Sequence, residues 1–264
     1  MIVILGLLTK TEREYSISID KIMTTMTDSE ILEKYKQPFP VSFRVIGTGT
    51  GVSDIIEKVK SFGYDCVGCQ VVNSEAECIP TDEDQMAIIV ARDKEEVANK
   101  IARTYHDAGV LTIGFLNNAD AECYDSIAID ARVNDVSYIV KDLLEPLVKP
   151  GLINYDFHDL STELRDSCFF KTLTAEAENI ENAVTQIQKF LTESNVKNIE
   201  YLSAHIYFNR EKKSEIKMDD MAYLSDMFSR LPESVNAVWS VNFDNAMPVD
   251  TIRLSILLSG KKLR

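Results

Sequence analysis

Short apolar runs alternate with amphipathic stretches from residue 43 to residue 129, and this alternation constrains the fold more than any other feature of the chain. The apolar runs have strand length, whereas the amphipathic stretches have helical spacing. The predicted order is strand 43–47, helix 52–61, strands 66–72 and 86–91, helix 94–107, and strands 110–115 and 126–129. Such alternation predicts an α/β fold with a parallel sheet covered by helices.

The second half of the chain predicts another α/β unit, joined to the first by a helix over residues 133–148. Pro146 should kink this helix or fray its final turn. Helices are then predicted over 160–170 and 175–193, followed by strand 199–208, helix 218–230 and strands 237–243 and 251–259. Residues 1–40 show strand-like runs at 1–8 and 15–19 and a short helix.

Charge and hydropathy exclude several classes of function. The chain carries 28 basic and 42 acidic residues and no basic patch, so nucleic acid and anionic lipid are not expected as partners. The apolar opening MIVILGLL is too short for a membrane span and lacks the basic flank of a signal peptide. Five cysteines without export signals predict free thiols in a reducing compartment. We therefore expect a cytoplasmic protein that does not insert into the membrane.

The strongest local motif is FRVIGTGTGVSDIIEKV, in which a strand enters Gly47-Thr48-Gly49-Thr50-Gly51 and a helix follows. Alternating glycines let the backbone approach a diphosphate, while the amides and dipole of a helix N-terminus stabilise its charge. The motif lacks the sixth-position glycine of the dinucleotide fingerprint and the Gly-Lys-Ser/Thr of a P-loop. It therefore predicts either a phosphate site or a tight strand-to-helix turn without a ligand.

A second local motif, Cys66-Val67-Gly68-Cys69, has the spacing of a redox pair. It lies on a predicted strand rather than at a helix start, and no nearby His or Cys pair completes a zinc site. We interpret both cysteines as structural thiols and expect no metal site.

Several segments resemble the FtsZ/tubulin family, in the family's order. The glycine loop is similar to the family's first phosphate-facing loop, and Val71-Val72-Asn73-Ser74-Glu75 is similar to the end of its second strand. The other matches are YDSIAID, Asn134-Asp135, PGLINYDFHDL, Glu178-Asn179, NAVW and IRLSILLSG. They cover residues 42–260, and PGLINYDFHDL is highly specific. On these motifs the chain is identified as a shortened, divergent member of the family.

The resemblance implies a Rossmann-like parallel-sheet domain that binds guanine nucleotide, a central helix and a smaller C-terminal α/β domain. The corresponding parts are an N-terminal extension (1–40), a GTPase-like domain (41–132), the central helix with the synergy loop (133–159) and a C-terminal domain (160–264). It also implies self-association head to tail into filaments, or assembly with an intact FtsZ homologue, and a role in the cytoskeleton or cell division.

The resemblance also assigns site residues. GTP or GDP would bind to Gly47, Thr48, Gly49, Thr50, Gly51, Asn73 and Asp135, with Mg²⁺ only if GTP binds. In the family, the synergy loop that follows the central helix enters the pocket of the next subunit. There Asn154, Asp156 and Asp159 would position the attacking water, with His158 beside them. The same loop is also consistent with a polar turn in which Asp159 caps the following helix.

Departures from the family predict a damaged pocket. Where the family has a second, glycine-rich phosphate loop, the strand runs directly into Arg92-Asp93-Lys94-Glu95-Glu96-Val97. Side chains and two glutamates there oppose phosphate binding, and Arg92 and Lys94 offset this only in part. The stretch between Asn73 and Met86 is too short for the family's γ-phosphate-sensing loop, and Asp130 replaces an aromatic residue that stacks on guanine.

These features lead to three functional hypotheses. The leading one is a filament-forming or filament-modulating FtsZ homologue that is at most a weak GTPase. The second is an active, divergent GTPase in which Arg92 and Lys94 neutralise phosphate. The third is an interaction scaffold that keeps the fold but binds no nucleotide.

Overall fold

The computed structural model of the chain describes residues 42–116, 121–131, 135–165, 167–194, 197–211 and 218–261. The strands and the short helix predicted for residues 1–40 lie outside the described residues, as does Asn134. None of the described helices has the length and apolar character needed to cross a membrane.

The first half is the predicted parallel sheet. It contains β1 (Ser42–Gly49), α1 (Ser53–Lys60), β2 (Val67–Val72), β3 (Asp84–Arg92), α2 (Glu95–Asp107), β4 (Leu111–Phe115) and β5 (Ser126–Ala128). All neighbouring strands in the order β2-β1-β3-β4-β5 are parallel. This confirms the predicted α/β fold class. Because the strands are parallel, their carboxyl ends, where such folds bind ligands, lie along one edge of the sheet.

Residue alternation along the strands divides the core between the two faces of this sheet. Val45 and Ile88 pack on the face covered by α1, whereas Ile46 and Ile89 pack on the face covered by α2. Both faces of the sheet are covered by helices, which explains why the sequences of these strands are continuous apolar runs rather than alternations of apolar and polar residues.

A central helix connects the halves. It is α3 (Val136–Val148), followed by the short strand β6 (Gly151–Ile153) and by α4 (Phe157–Arg165). Its final turn does not fray at Pro146, because the Lys149 amide donates to the Glu145 carbonyl at 2.9 Å. Val140, Leu143 and Leu144 are buried against the α1 face of the sheet.

The second half consists of β7 (Phe169–Ala177), α5 (Ile180–Ser194), β8 (Ile199–Phe208), α6 (Met218–Ser229), β9 (Asn236–Phe243) and β10 (Ile252–Gly260). Its strands continue the sheet of the first half in the order β5-β7-β10-β8-β9-β6, so the described strands form one ten-stranded sheet. A second core, rich in residues of β8 and β10, lies under α5 and α6. The domain boundaries at 132 and 159 stay a prediction.

The bounds of two predicted helices were wrong in this half. Helix 160–170 begins earlier and ends at Arg165, and the helix predicted from residue 175 begins only at Ile180. The residues between them, Phe169–Ala177, form a strand that pairs with β10 along its whole length. Pairing over nine residues outweighs the helical propensity of Ala175, Glu176 and Ala177.

Candidate functional site

The glycine loop lies at the carboxyl end of β1, between the strand and α1. Gly49 and Gly51 have positive φ angles of 100° and 72°, so glycine suits both positions. A Cβ on Gly47 would lie 2.7 Å from the Ile56 side chain, and one on Gly49 would lie 1.4 Å from the Arg92 carbonyl oxygen. Internal packing therefore requires Gly47 and Gly49, which leaves Gly51 and Thr50 as the exposed part of the loop that a ligand could reach.

Two side chains at this loop each carry a buried polar atom that has no hydrogen-bond partner among the described residues. Thr48 is fully buried on the α2 face of β1, and its Oγ1 has no partner. Arg92 ends β3, and its Nη1 lies 3.8 Å from where a Cβ on Gly51 would be. The Nη2 of Arg92 is buried without a partner. The structure thus brings Arg92 to the glycine loop, which sequence spacing alone could not show.

The connection between β3 and α2 consists of only Asp93 and Lys94. Asp93 adopts a positive φ of 59°, and Lys94 is the N-cap without a side-chain capping bond. This connection is therefore short and contains no glycine. Lys94 Nζ donates to Asn73 Oδ1 at 3.2 Å, so the predicted ligand Asn73 is held by a neighbouring cation.

Acidic side chains surround this connection. Glu75 and Glu77 follow β2 in a short 3₁₀ turn, and the Glu77 carboxylate accepts from the amides of Asn73 and Ser74 at 3.1 Å each. Lys100 lies 3.8 Å from the carboxylates of both Glu75 and Glu96. Exposed carboxylates at the carboxyl edge of the sheet disfavour a highly charged polyphosphate.

The start of α3 carries the proposed base-reading carboxylate. Asp135 is the N-cap of α3, is exposed and makes no side-chain capping bond. Asp130, at the position of the family's stacking aromatic residue, has a φ of 56° and forms an ion pair with Lys171 at 2.7 Å. It therefore presents no flat surface for a base.

In the synergy loop, two of the three predicted residues cap a helix. The Asp159 amide donates to Asp156 Oδ1 and the Asp156 amide donates to Asp159 Oδ2, both at 3.0 Å. Asp156 is thus the N-cap of α4, and the Asp159 carboxylate accepts in return from the Asp156 amide. The loop caps the helix as predicted, but the N-cap residue is Asp156 rather than Asp159. The side chains of Asn154, Asp156 and His158 remain exposed.

The predicted site residues fall into two groups at opposite ends of the sheet. The Phe157 ring lies 5.7 Å from the ring of Phe43, which places the start of α4 at the amino end of β1. Gly49 lies six residues along that strand, or about 20 Å away at a rise of about 3.3 Å per residue. Asp156 and Gly51 therefore do not contact one ligand within a single copy of the chain.

A buried polar cluster behind the synergy loop was not predicted. Tyr155 donates to Glu163 Oε2 at 2.8 Å, and its ring lies 4.6 Å from that of His205. The two nitrogens of His205 lie 2.9 Å from Ser240 Oγ and 3.1 Å from Ser203 Oγ. Burial raises the pKa of Glu163 to about 8 and lowers the pKa of His205 to about 3. The only sequence signal was several polar residues on the otherwise apolar strand β8.

The Cys-Val-Gly-Cys motif lies at the start of β2, the edge strand of the sheet. Cys66 precedes β2 and Cys69 lies within it, and both pack partly against the α1-side core. Burial raises the pKa of both thiols, which keeps them protonated and unreactive.

Taken together, these elements form an α/β protein with a central helix between the glycine loop and a distant acidic loop. The sequence matches no protein-family profile and no curated protein. Solved structures do match. An empty FtsZ dimer from M. jannaschii aligns at 15% identity over 88% of this chain and 92% of that one, with a TM-score of 0.65.

Two TubZ structures align as well. The GDP-form protofilament of TubZ from Bacillus thuringiensis serovar israelensis has 9% identity over 84% of this chain and 89% of that one, with a TM-score of 0.57. A TubZ of type III plasmid segregation has 10% identity over 97% and 93%, with a TM-score of 0.56. This chain has the FtsZ/tubulin fold, as its motifs predicted.

Proposed function

We propose that the chain is an assembling subunit of the FtsZ/tubulin type, cytoplasmic and cytoskeletal in role, with a competent synergy loop and a weak guanine-nucleotide site. The observation that carries this proposal is that the start of α4 lies at the amino end of β1, about 20 Å along that strand from Gly49 and the glycine loop. Side chains so far apart act on one nucleotide only if the acidic end of one copy meets the phosphate end of another.

The acidic end of the sheet, which carries Asp156 and Asp159, offers a surface for such a contact. The capping bonds fix Asp156 and Asp159 relative to α4, and Tyr155 anchors the loop from below through Glu163. A rigid carboxylate can orient water next to the phosphate of a neighbouring subunit without the entropic cost of ordering a flexible loop. Two of the similar structures are an FtsZ dimer and a TubZ protofilament, which supports self-association.

The phosphate end supports only weak binding of GTP or GDP. One loop, Thr50-Gly51, is available to phosphate, while Asp93-Lys94 provides no second loop of amides. Glu75, Glu77 and Glu96 add like charge nearby. Each well-placed donor in such a site contributes a few kcal/mol, so the loss of several predicts slow hydrolysis at most, with Mg²⁺ bound only alongside GTP.

Sedimentation tests the proposal. The purified chain is pelleted with GTP, with GDP and without nucleotide, both alone and mixed with an intact FtsZ. We expect polymer in at least one of these mixtures and a change in the GTP turnover of the intact FtsZ. Asp156→Asn should abolish the change in turnover, because it keeps the cap but removes the charge. Glu233→Gln, which removes an exposed carboxylate elsewhere, is the matched control.

If the chain neither pellets nor alters the assembly or turnover of the intact FtsZ, the proposal is wrong and the interaction scaffold replaces it. If the chain alone releases phosphate from GTP and Asp156→Asn stops the release, the chain is an active GTPase. The observation that favours this alternative is the buried Nη2 of Arg92 at the glycine loop, which has no hydrogen-bond partner among the described residues.

A further inference from the structure

We infer that Arg92 is the phosphate-binding cation of this chain and that, with Thr50-Gly51, it binds a nucleoside diphosphate in preference to a triphosphate. This inference rests on the proposed function, because it names the ligand class of the same site. Its support is the position of Arg92, the missing partner of its guanidinium and the distribution of charge around it.

The register of the sheet sets the position of Arg92. Arg92 pairs with Gly49 across β3 and β1, and side chains alternate along β3, with Val90 on the α1 face and Ala91 on the α2 face. Arg92 therefore points to the α1 face, and its Nη1 comes to 3.8 Å from the Cβ position of Gly51. The guanidinium thus lies beside the backbone amides at the start of α1, where an anion would be stabilised by both.

The missing partner of the guanidinium indicates what would bind. Nη2 of Arg92 is buried and meets no acceptor in the described part of the chain. A buried donor on a charged group is costly when unpaired, whereas the planar fork of an arginine matches two oxygens of a phosphate. Lys94 already donates to Asn73, and Lys100 lies 3.8 Å from the carboxylates of both Glu75 and Glu96. Arg92 is consequently the cation placed to receive a phosphoryl group.

The surrounding charge limits how many phosphates fit. The Thr50-Gly51 loop and the Arg92 guanidinium can donate to the two phosphates nearest the nucleoside. A third phosphate would extend toward the β2 and β3 ends, where Asp93, Glu75 and Glu96 lie and only two residues connect β3 to α2. Its additional negative charge would meet carboxylates rather than amides, so GDP should bind more tightly than GTP.

Isothermal titration with GMP, GDP, GTP and inorganic pyrophosphate tests the inference on the whole chain. We expect GDP and pyrophosphate to bind, GTP to bind at least threefold more weakly than GDP, and GMP to bind more weakly still. Arg92→Gln should weaken GDP binding at least tenfold, and Arg92→Lys should retain part of it, since it keeps the charge but loses the fork. Arg230→Gln, which removes an exposed arginine paired with Asp226, should leave binding unchanged.

Thermal unfolding without ligand separates binding from folding. Arg92→Gln should unfold at the same temperature as the parent or slightly higher, because it removes a buried Nη2 donor that has no acceptor among the described residues. The inference is overturned if Arg92→Gln binds GDP as tightly as the parent, if GTP binds more tightly than GDP, or if none of the four probes binds. Filament assembly measured on the same variants is independent of these outcomes, so a failure of the proposed function would be seen separately.

Discussion

Gly49 and Arg92 face each other on β1 and β3 so closely that a Cβ on Gly49 would lie 1.4 Å from the Arg92 carbonyl oxygen. The glycine that most resembles a ligand-binding residue in the sequence is therefore required by the sheet. The same register places the Arg92 side chain beside Gly51, so one strand pairing determines both the shape and the charge of the candidate phosphate site.

Gly49→Ala should destabilise the fold severely. The added methyl group would push β1 from β3, and the φ of 100° is itself unfavourable for alanine. We expect a loss of several kcal/mol, at the upper end of single substitutions, seen as a lower urea midpoint or as insoluble protein. Gly63→Ala is the matched control: its φ is 70° but nothing lies within 4 Å of the new Cβ, so about 1 kcal/mol is expected. Equal losses for both variants would contradict this explanation.

The long elements with clear periodicity were predicted well from the sequence. The prediction failed where pairing with a strand distant in the chain determines the secondary structure. Helix α2 was placed at 94–107 and is found at Glu95–Asp107, because its apolar spacing is strong. Strand β7 was missed, because only pairing with β10, some eighty residues away, makes a strand of a segment with mixed local preference.

The candidate site shows the same division. The motifs predicted the glycine loop, Asp135 and the synergy loop as site residues, because each is a contiguous segment, and these roles stay predictions. The position of the Arg92 guanidinium and the burial of Glu163 depend on how separate elements pack, which residue spacing does not record.

Removing Arg253 should be far more costly than removing an exposed arginine. Arg253 on β10 forms a buried ion pair with Glu145 of α3, and Tyr64 also donates to this carboxylate at 3.1 Å. Arg253→Met leaves Glu145 with the Tyr64 hydroxyl and with Lys141 and Lys149, at 3.5 and 3.4 Å, so we expect a loss of about 3 kcal/mol in urea unfolding.

Arg230→Met is the control for this prediction, because it breaks an exposed i,i+4 pair and should cost less than about 1 kcal/mol. A double-mutant cycle with Glu145→Gln should show that much of the Arg253→Met loss disappears once the carboxylate is neutral. Additive losses would mean that the two side chains do not interact energetically.

The synergy-loop aspartates should have separable structural and electrostatic roles. Asp156→Ala removes the N-cap of α4 and should lower stability by about 1 kcal/mol, whereas Asp156→Asn keeps an acceptor at the cap and should cost little. Chemical denaturation of both variants measures this difference. If Asn costs as much as Ala, the carboxylate charge rather than the capping bond stabilises α4.

The buried cluster behind the loop should make stability depend on pH. Burial raises the pKa of Glu163 from 4.5 to about 8, so the folded state keeps a proton that the unfolded state has released. This contribution to stability is fully present below pH 4.5 and is lost as the pH rises toward 8. His205 acts in the other direction: burial lowers its pKa from 6.5 to about 3, so its contribution is lost as the pH falls from 6.5 to 3.

Glu163→Gln should therefore abolish the loss on the alkaline side and leave the acid side unchanged. The amide oxygen can still accept from Tyr155, and no proton is gained or lost between pH 5 and pH 8. Across that range Glu163 alone should lower the stability of the parent by about 3 kcal/mol, measured as urea midpoints at several pH values. Parallel pH profiles for parent and variant would show that Glu163 is ionised in the folded protein. In that case the loop is anchored by a carboxylate rather than by a protonated acid.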